Sequence, residues 1–186
     1  DVFAFLMKAQ HMTFTEAVER LADRIGYNLN YDEGSRGNSG QRSRIVAANT
    51  AAANFYQARL ESPEAAHGRD FLQKRGFDKS AAQHFGVGYA PDEWDGLSKA
   101  LRAQGFSAEE LLLAGLTKEG QRGPIDRFRD RLVWPIRDIS GDVVGFGARK
   151  LASDEEDQGP KYLNTSETPI YKKSMVLYGL DLAKKE

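Results

Sequence analysis

Two groups of side chains in this sequence have the types and spacing to do chemistry on a polyanion. The first flanks RFRDRLVWPIRDISGDVVGFGARK, residues 127–150. Arg127, Arg129 and Arg131 stand at its start, Arg137 within it, and Arg149 and Lys150 at its end. The second follows in GPKYLNTSETPIYKKSMVLYGL and holds Lys161, Tyr162, Asn164, Lys172 and Lys173. Lysine and arginine pair with phosphate, a tyrosine ring stacks on a base or sugar, and a carboxamide hydrogen-bonds a base or sugar edge. The set suits a nucleic acid or nucleotide. It also suits the solvated polar face of a small sheet, and a run of charges does not separate the two readings.

The elements that must position these residues are short. Leu132 to Ile136 is apolar and rich in strand formers, and Val143 to Phe146 resumes the run after the turn residues Ser140-Gly141-Asp142. Two such runs around a glycine-containing turn predict a β-hairpin. Pro135, which lacks a donor, belongs on an edge strand. Arg127, Arg129 and Arg131 alternate, so an extended chain would put them on one face. Gly145 and Gly147 remove side chains beside Arg149, where another backbone or a ligand can approach closely.

These residues carry a resemblance. The stretch from Arg127 to Lys150, followed by PKYLNTSETPIYKKSMVLYGL, resembles the core of DnaG-type bacterial DNA primases. The likeness extends upstream through FLQKRGF and HFGVGYAP to MTFTEAVERLADRIGY, leaving out mainly Asp32 to Arg44. Members of that family make short RNA primers on single-stranded DNA for replication. They consist of a zinc-binding domain, an RNA polymerase domain and a helicase-binding domain. The polymerase domain is a basic N-terminal subdomain followed by a metal-binding toprim subdomain.

The resemblance implies a domain plan. Residues 1–31 would be the helical tail of the zinc-binding domain, 32–44 a flexible linker, 45–180 the basic subdomain, and 181–186 the start of toprim. It implies DNA-binding roles for Arg75, Arg127, Arg129, Arg149, Lys161, Tyr162 and Lys173. It implies nucleotide-binding roles for Lys161, Tyr162, Asn164 and Lys173. Some of Arg127, Arg129 and Arg131 would instead form ion pairs with Asp126, Asp130 or Asp138. Ala148 departs from the pattern, since many relatives have glycine there. Implied partners are a single-stranded DNA template, ribonucleoside triphosphates, an RNA–DNA hybrid, and a replicative helicase reached through a separate domain. Implied cofactors are Zn2+ upstream and Mg2+ or Mn2+ in toprim, with neither catalytic nor metal-ligating residues in this stretch.

Composition is compatible with that plan. The 186 residues are 40% hydrophobic and 28% charged, as in a globular protein, with a net charge of −1. No global basic field advertises a polyanion partner, so any such site must be a local patch. There are no cysteines, hence no disulfide and no thiolate metal site. That suits the bacterial cytoplasm, where the family works at the replisome. No stretch approaches a membrane-spanning length and no signal peptide is evident. Apolar residues begin at once with Val2, Phe3, Phe5 and Leu6, so both ends read as cut points of a longer protein.

In chain order, Asp1 to Lys8 predicts a short helix. Thr13 and Glu16 have capping-box spacing before a helix that Gly26 can end. His11 is a surface or helix-end residue on this reading rather than a metal ligand. Asp32 to Arg44 is rich in Gly, Ser and Asn and lacks an apolar anchor, as a flexible linker does.

From Ile45 the spacing of Ala48, Ala52, Phe55, Tyr56 and Leu60 predicts a helix. Pro63 can open the next, in which Phe71 and Leu72 pack and Arg75 stands near the end. Asp78 to His84 is a brief helix, Gly86 to Tyr89 an extended piece, and Trp94, Leu97 and Leu101 mark another helix. Ser107 and Glu110 form a second capping box. Thr117 to Pro124 is a polar turn segment, and Leu151 to Gly159 a mobile loop. The acidic run Asp154 to Asp157 lies on that loop, without a scaffold for octahedral metal geometry.

No phosphate-binding GxxxxGK[ST] loop occurs, and Gly145-Phe146-Gly147 falls short of a dinucleotide fingerprint. The predicted fold is α+β, a helical half followed by a small mixed or antiparallel sheet. Two rival readings remain: a single-stranded nucleic-acid-binding module with no polymerase attached, and a structural domain whose charges are solvated.

Overall fold

The computed structural model describes residues 2–10, 14–27, 33–121, 123–153, 155 and 157–183. The chain divides into two units, Asp1–Gln41 and Arg42–Glu186. In the first, α1 (Val2–Gln10) and α2 (Phe14–Ile25) form the expected helical pair. The rings of Phe3 and Phe14 lie 5.5 Å apart, and Ala17 and Ala22 are buried. Gly26 at φ +67° lets the Tyr27 N–H reach the Ala22 carbonyl at 2.8 Å, which ends α2. His11 and Thr13 lie outside the described residues.

The expected linker needs correction. Helix α3 runs Glu33–Leu60, through the segment expected to be irregular. Helix extension adds one hydrogen bond per residue once a nucleus exists, and the Ala-rich half from Ile45 provides that nucleus. Side-chain partners reinforce it. Arg42 Nη2 meets Asp138 Oδ2 at 3.2 Å, and Arg44 binds both oxygens of Glu110, at 2.6 and 2.9 Å.

In the second unit Ile45, Ala48, Ala52 and Tyr56 line one face of α3 at helical spacing and are buried. They pack on a four-stranded antiparallel sheet ordered β1-β4-β5-β6. Its strands are β1 (Gly88–Ala90), β4 (Arg131–Arg137), β5 (Val143–Lys150) and β6 (Tyr162–Asn164). The predicted hairpin is β4–β5, with Leu132 opposite Arg149 and Trp134 opposite Gly147. Its turn is held by Asp138, whose Oδ1 accepts from the Ser140 and Asp142 N–H groups.

Pro135 sits on an inner strand rather than an edge strand. β1 pairs β4 only as far as Val133, however, so the flank of Pro135 away from β5 has no ladder to lose.

Alternation along the strands divides the core in two. Ala90, Val133, Phe146 and Ala148 face α3, α6 (Gly96–Ala103) and α7 (Ala108–Leu113). Leu132 and Tyr89 face the other way, onto Leu60, Leu72 and Val87. That second layer comes from the 3-10 turn Pro63–Ala65, α4 (Ala66–Gln73) and α5 (Lys79–His84). The architecture is the expected α+β. β1 lies tight on α3, because a Cβ on Gly88 would stand 2.5 Å from the Tyr56 carbonyl carbon.

The capping prediction that falls on described residues holds: Ser107 and Glu110 form the reciprocal box of α7. Asp78 also caps α5, accepting from the Ala81 N–H. The segment expected as a polar turn is instead a second hairpin, β2 (Thr117–Gly120) with β3 (Gly123–Asp126). Its strands are polar because only Thr117 and Asp126 are buried, so alternation is invisible in the sequence. Asp126 accepts from the Leu97 and Ser98 N–H groups at 2.7 and 3.1 Å and caps α6. A closing helix α8 spans Leu180–Ala183. Among the described residues no helix is long and apolar enough to cross a membrane.

Candidate nucleic-acid interface

Strands β5 and β6 build the site. Arg149 pairs across to Tyr162, and Gly147 to Asn164, so these residues share one sheet face. The Tyr162 ring is 67% exposed, free to stack on a planar partner. The two glycines meet different fates. Gly145 is covered by its own chain, since a Cβ there would lie 3.2 Å from Thr165 and 3.4 Å from Tyr171. A Cβ on Gly147 would meet only the Asn164 amide oxygen, at 3.3 Å. Close approach from outside is therefore possible at Gly147.

Arg75 reaches the same region from the turn after α4. Its guanidinium lies 4.0 Å from the centre of the Phe71 ring, and that of Arg149 lies 3.9 Å from the same centre. Lys161 is exposed beside Tyr162, and its carbonyl accepts from the Lys150 N–H at 2.9 Å. Lys173 is exposed after the Thr168–Tyr171 bridge. Its own N–H is held by the Glu167 carboxylate at 2.9 Å. Arg75 and Arg149 thus share the Phe71 ring, strand pairing sets Tyr162 beside Arg149 and Asn164 beside Gly147, and Lys161 and Lys173 stand on the segments around them.

The three alternating arginines do not share a face. Only Arg131 lies in a strand, and Asp130 at φ +44° breaks the extended chain before it. Arg127 donates Nε and Nη2 to the Asn164 carbonyl at 3.1 and 2.8 Å, and partial burial lowers its pKa. Arg129 stacks on the exposed Trp94 ring, 3.4 Å from its centre.

Arg131 is 5% exposed, and burial is the main cause lowering its pKa. It donates to the Pro160 carbonyl at 2.8 Å and meets Asp157 at 3.3 Å. The expected partners Asp126, Asp130 and Asp138 are engaged elsewhere: with α6, with His67 and Tyr89, and with Arg42.

Lys150, grouped with the flanking cations in the sequence, points to the core side and is buried. Its ammonium donates to the carbonyls of Asp157 and Gly159. The loop from Leu151 is therefore fastened at its far end by Lys150, Arg131 and Asp157. Asp154 and Glu156 lie outside the described residues. The period of two along β5 was the available signal: Gly147 and Arg149 on one face place Lys150 on the other. Phe71 carried no such signal, because an aromatic at helical spacing reads as core.

The residues from 55 to 184 match the family model described as DNA primase catalytic core, N-terminal domain. A DNA primase of Streptomyces coelicolor is 61% identical over 190 residues, covering 100% of this chain and 29% of the relative. The chain thus spans under a third of the curated relatives it matches.

A crystal structure of the RNA polymerase domain of Mycobacterium tuberculosis primase DnaG with double-stranded DNA has a TM-score of 0.74 at 55% identity. It covers 77% of this chain and 45% of its own. A DnaG primase catalytic domain bound to single-stranded DNA has a TM-score of 0.70 at 38% identity, over 79% and 46%. With the family model matching most of the chain and its fold shared with those structures, the chain belongs to the DNA primase family, in the N-terminal domain of the catalytic core.

Proposed function

We propose that this chain is the template- and nucleotide-binding part of an enzyme that makes RNA primers on single-stranded DNA. The observation that carries the reading is the β5–β6 face. Arg149 and Tyr162 stand side by side there, Asn164 lies against the open Gly147, and Arg75 converges on Arg149 through Phe71. On this reading Arg75 and Arg149 hold template phosphates. Lys161, Tyr162, Asn164 and Lys173 engage a ribonucleoside triphosphate or the growing RNA–DNA hybrid. Arg129 adds a DNA contact next to Trp94, and Arg127 serves by holding Asn164.

Residues 1–31 then belong to the zinc-binding domain, and 181–186 lead into toprim. The metals belong to those neighbours. The chain has no cysteine, and no three His, Asp or Glu of the described residues gather to hold an ion. The residues present do not fit Zn2+ or a catalytic Mg2+ or Mn2+ pair, so no step of phosphoryl transfer is assigned to them. A replicative helicase would be met through another domain, in the bacterial cytoplasm at the fork.

The test is fluorescence anisotropy with a labelled single-stranded oligonucleotide. Arg149→Ala combined with Lys161→Ala is expected to weaken binding at least tenfold while the melting temperature holds. Wild-type affinity in that variant would overturn the reading.

A further inference from the structure

We propose that Phe71 is a positioning residue of the nucleic-acid site, a fixed plate that holds two guanidinium groups at a set separation for one strand. This rests on the reading that Arg75 and Arg149 meet phosphates.

The geometry is specific. Both guanidinium carbons lie within about 4 Å of the Phe71 ring centre, so they are no more than about 8 Å apart. Two like charges that close repel, and among the described residues no carboxylate pairs with either. The attraction of each cation for the ring face offsets part of that repulsion, and an anion bridging both would offset the rest.

Phosphates of neighbouring nucleotides on one strand supply two negative charges at short spacing. The plate itself cannot drift. Phe71 is only half exposed, and its inner side packs on the cluster of Leu60, Leu72 and Leu132. It ties a residue of the α4 turn to one on β5, 74 positions away in the chain. Without the ring, two long flexible side chains would have to be ordered afresh by each ligand, which weakens binding by lost side-chain freedom.

The experiment is a mutant cycle on the protein, read by anisotropy with a fluorescein-labelled single-stranded oligonucleotide. Phe71→Leu is expected to weaken binding about fivefold or more, the size expected for two exposed cation–π contacts. Phe71→Tyr should restore it. In the Arg75→Ala/Arg149→Ala background, Phe71→Leu should have no further effect.

An equal loss in both backgrounds would mean a structural role and overturn the proposal, as would unchanged binding by Phe71→Leu. Should Phe71→Leu melt early, Phe71→Met keeps the apolar volume without a ring and takes its place. Unfolding of both variants would make Phe71 a core residue and also overturn it. Wild-type binding by Arg75→Ala/Arg149→Ala would instead bring down the reading of the site itself.

Discussion

Arginine side chains that are equivalent in the sequence have opposite roles once folded, and burial separates them. Arg131 is almost wholly buried and satisfies the Pro160 carbonyl and Asp157. Removing it leaves both acceptors short of a donor, at about 1–3 kcal/mol. Arg131→Ala should lower the melting temperature by several degrees in a thermal scan, whatever ligand is present. Lys161→Ala and Lys173→Ala remove exposed charges that pair with no carboxylate among the described residues, so stability should change by under about 1 kcal/mol. Primer synthesis by the complete enzyme should fall instead. A large drop in melting temperature for the two lysine variants would contradict their placement at the ligand.

The residue types of the site were legible in the sequence, but their assignment was less so. Arg127 to Arg131 looked extended because alternation is visible, whereas the left-handed turn at Asp130 is set by His67, Tyr89 and Pro91 from distant positions.

At the scale of elements, local signals were the reliable ones. The capping box of α7 was legible because both its members lie within three residues of each other. The polar hairpin β2–β3 was not, because its stability comes from the ladder and from Asp126 capping a helix almost thirty residues away. The start of α3 was missed for a related reason. Glycines at 34, 37 and 40 argue against a helix locally, and the helix behind them overrides that.

Two predictions belong here. Gly88→Ala would drive a methyl group into the α3 backbone at Tyr56, where nothing flexible can yield. It should cost about 1–3 kcal/mol, seen in urea unfolding. A variant as stable as wild type would show that β1 can move off α3.

The second concerns the Arg44–Glu110 contact, which joins α3 to α7. Arg44 and the Ser107 N–H hold the Glu110 carboxyl down at about 2, against an ordinary value of 4.5. A depressed carboxylate stabilises the fold above its unfolded value, and that contribution is lost as pH falls toward the folded one. In urea titrations the deficit of Glu110→Gln should be constant above about pH 5 and shrink between pH 4.5 and 2. A deficit independent of pH would exclude the charge as its source.

At the scale of the whole molecule, a chain of net charge −1 has no long-range pull on a polyanion. Binding must come from a patch, and the fold decides how many cations that patch contains. Of the cations gathered in the sequence, Arg131 and Lys150 are withdrawn into the core side, and Arg127 is committed to Asn164. Of those assigned to the ligand, Arg75, Arg129, Arg149, Lys161 and Lys173 remain as exposed or half-exposed charges.

Each phosphate neutralised on a single strand contributes a slope of about −0.7 to log K against log salt, so five contacts give about −3.5. If all the cations flanking the hairpin met phosphates, the slope would be steeper by about half or more. A salt series of anisotropy titrations from low to physiological ionic strength measures it directly. Arg75→Ala combined with Arg149→Ala should flatten the slope by about 1.4, two contacts' worth. Arg131→Ala, measured below its melting temperature, should leave the slope unchanged. A shallower slope in Arg131→Ala would mean that this buried guanidinium reaches the ligand, and a flat slope in the wild type would mean that phosphate contacts do not drive binding.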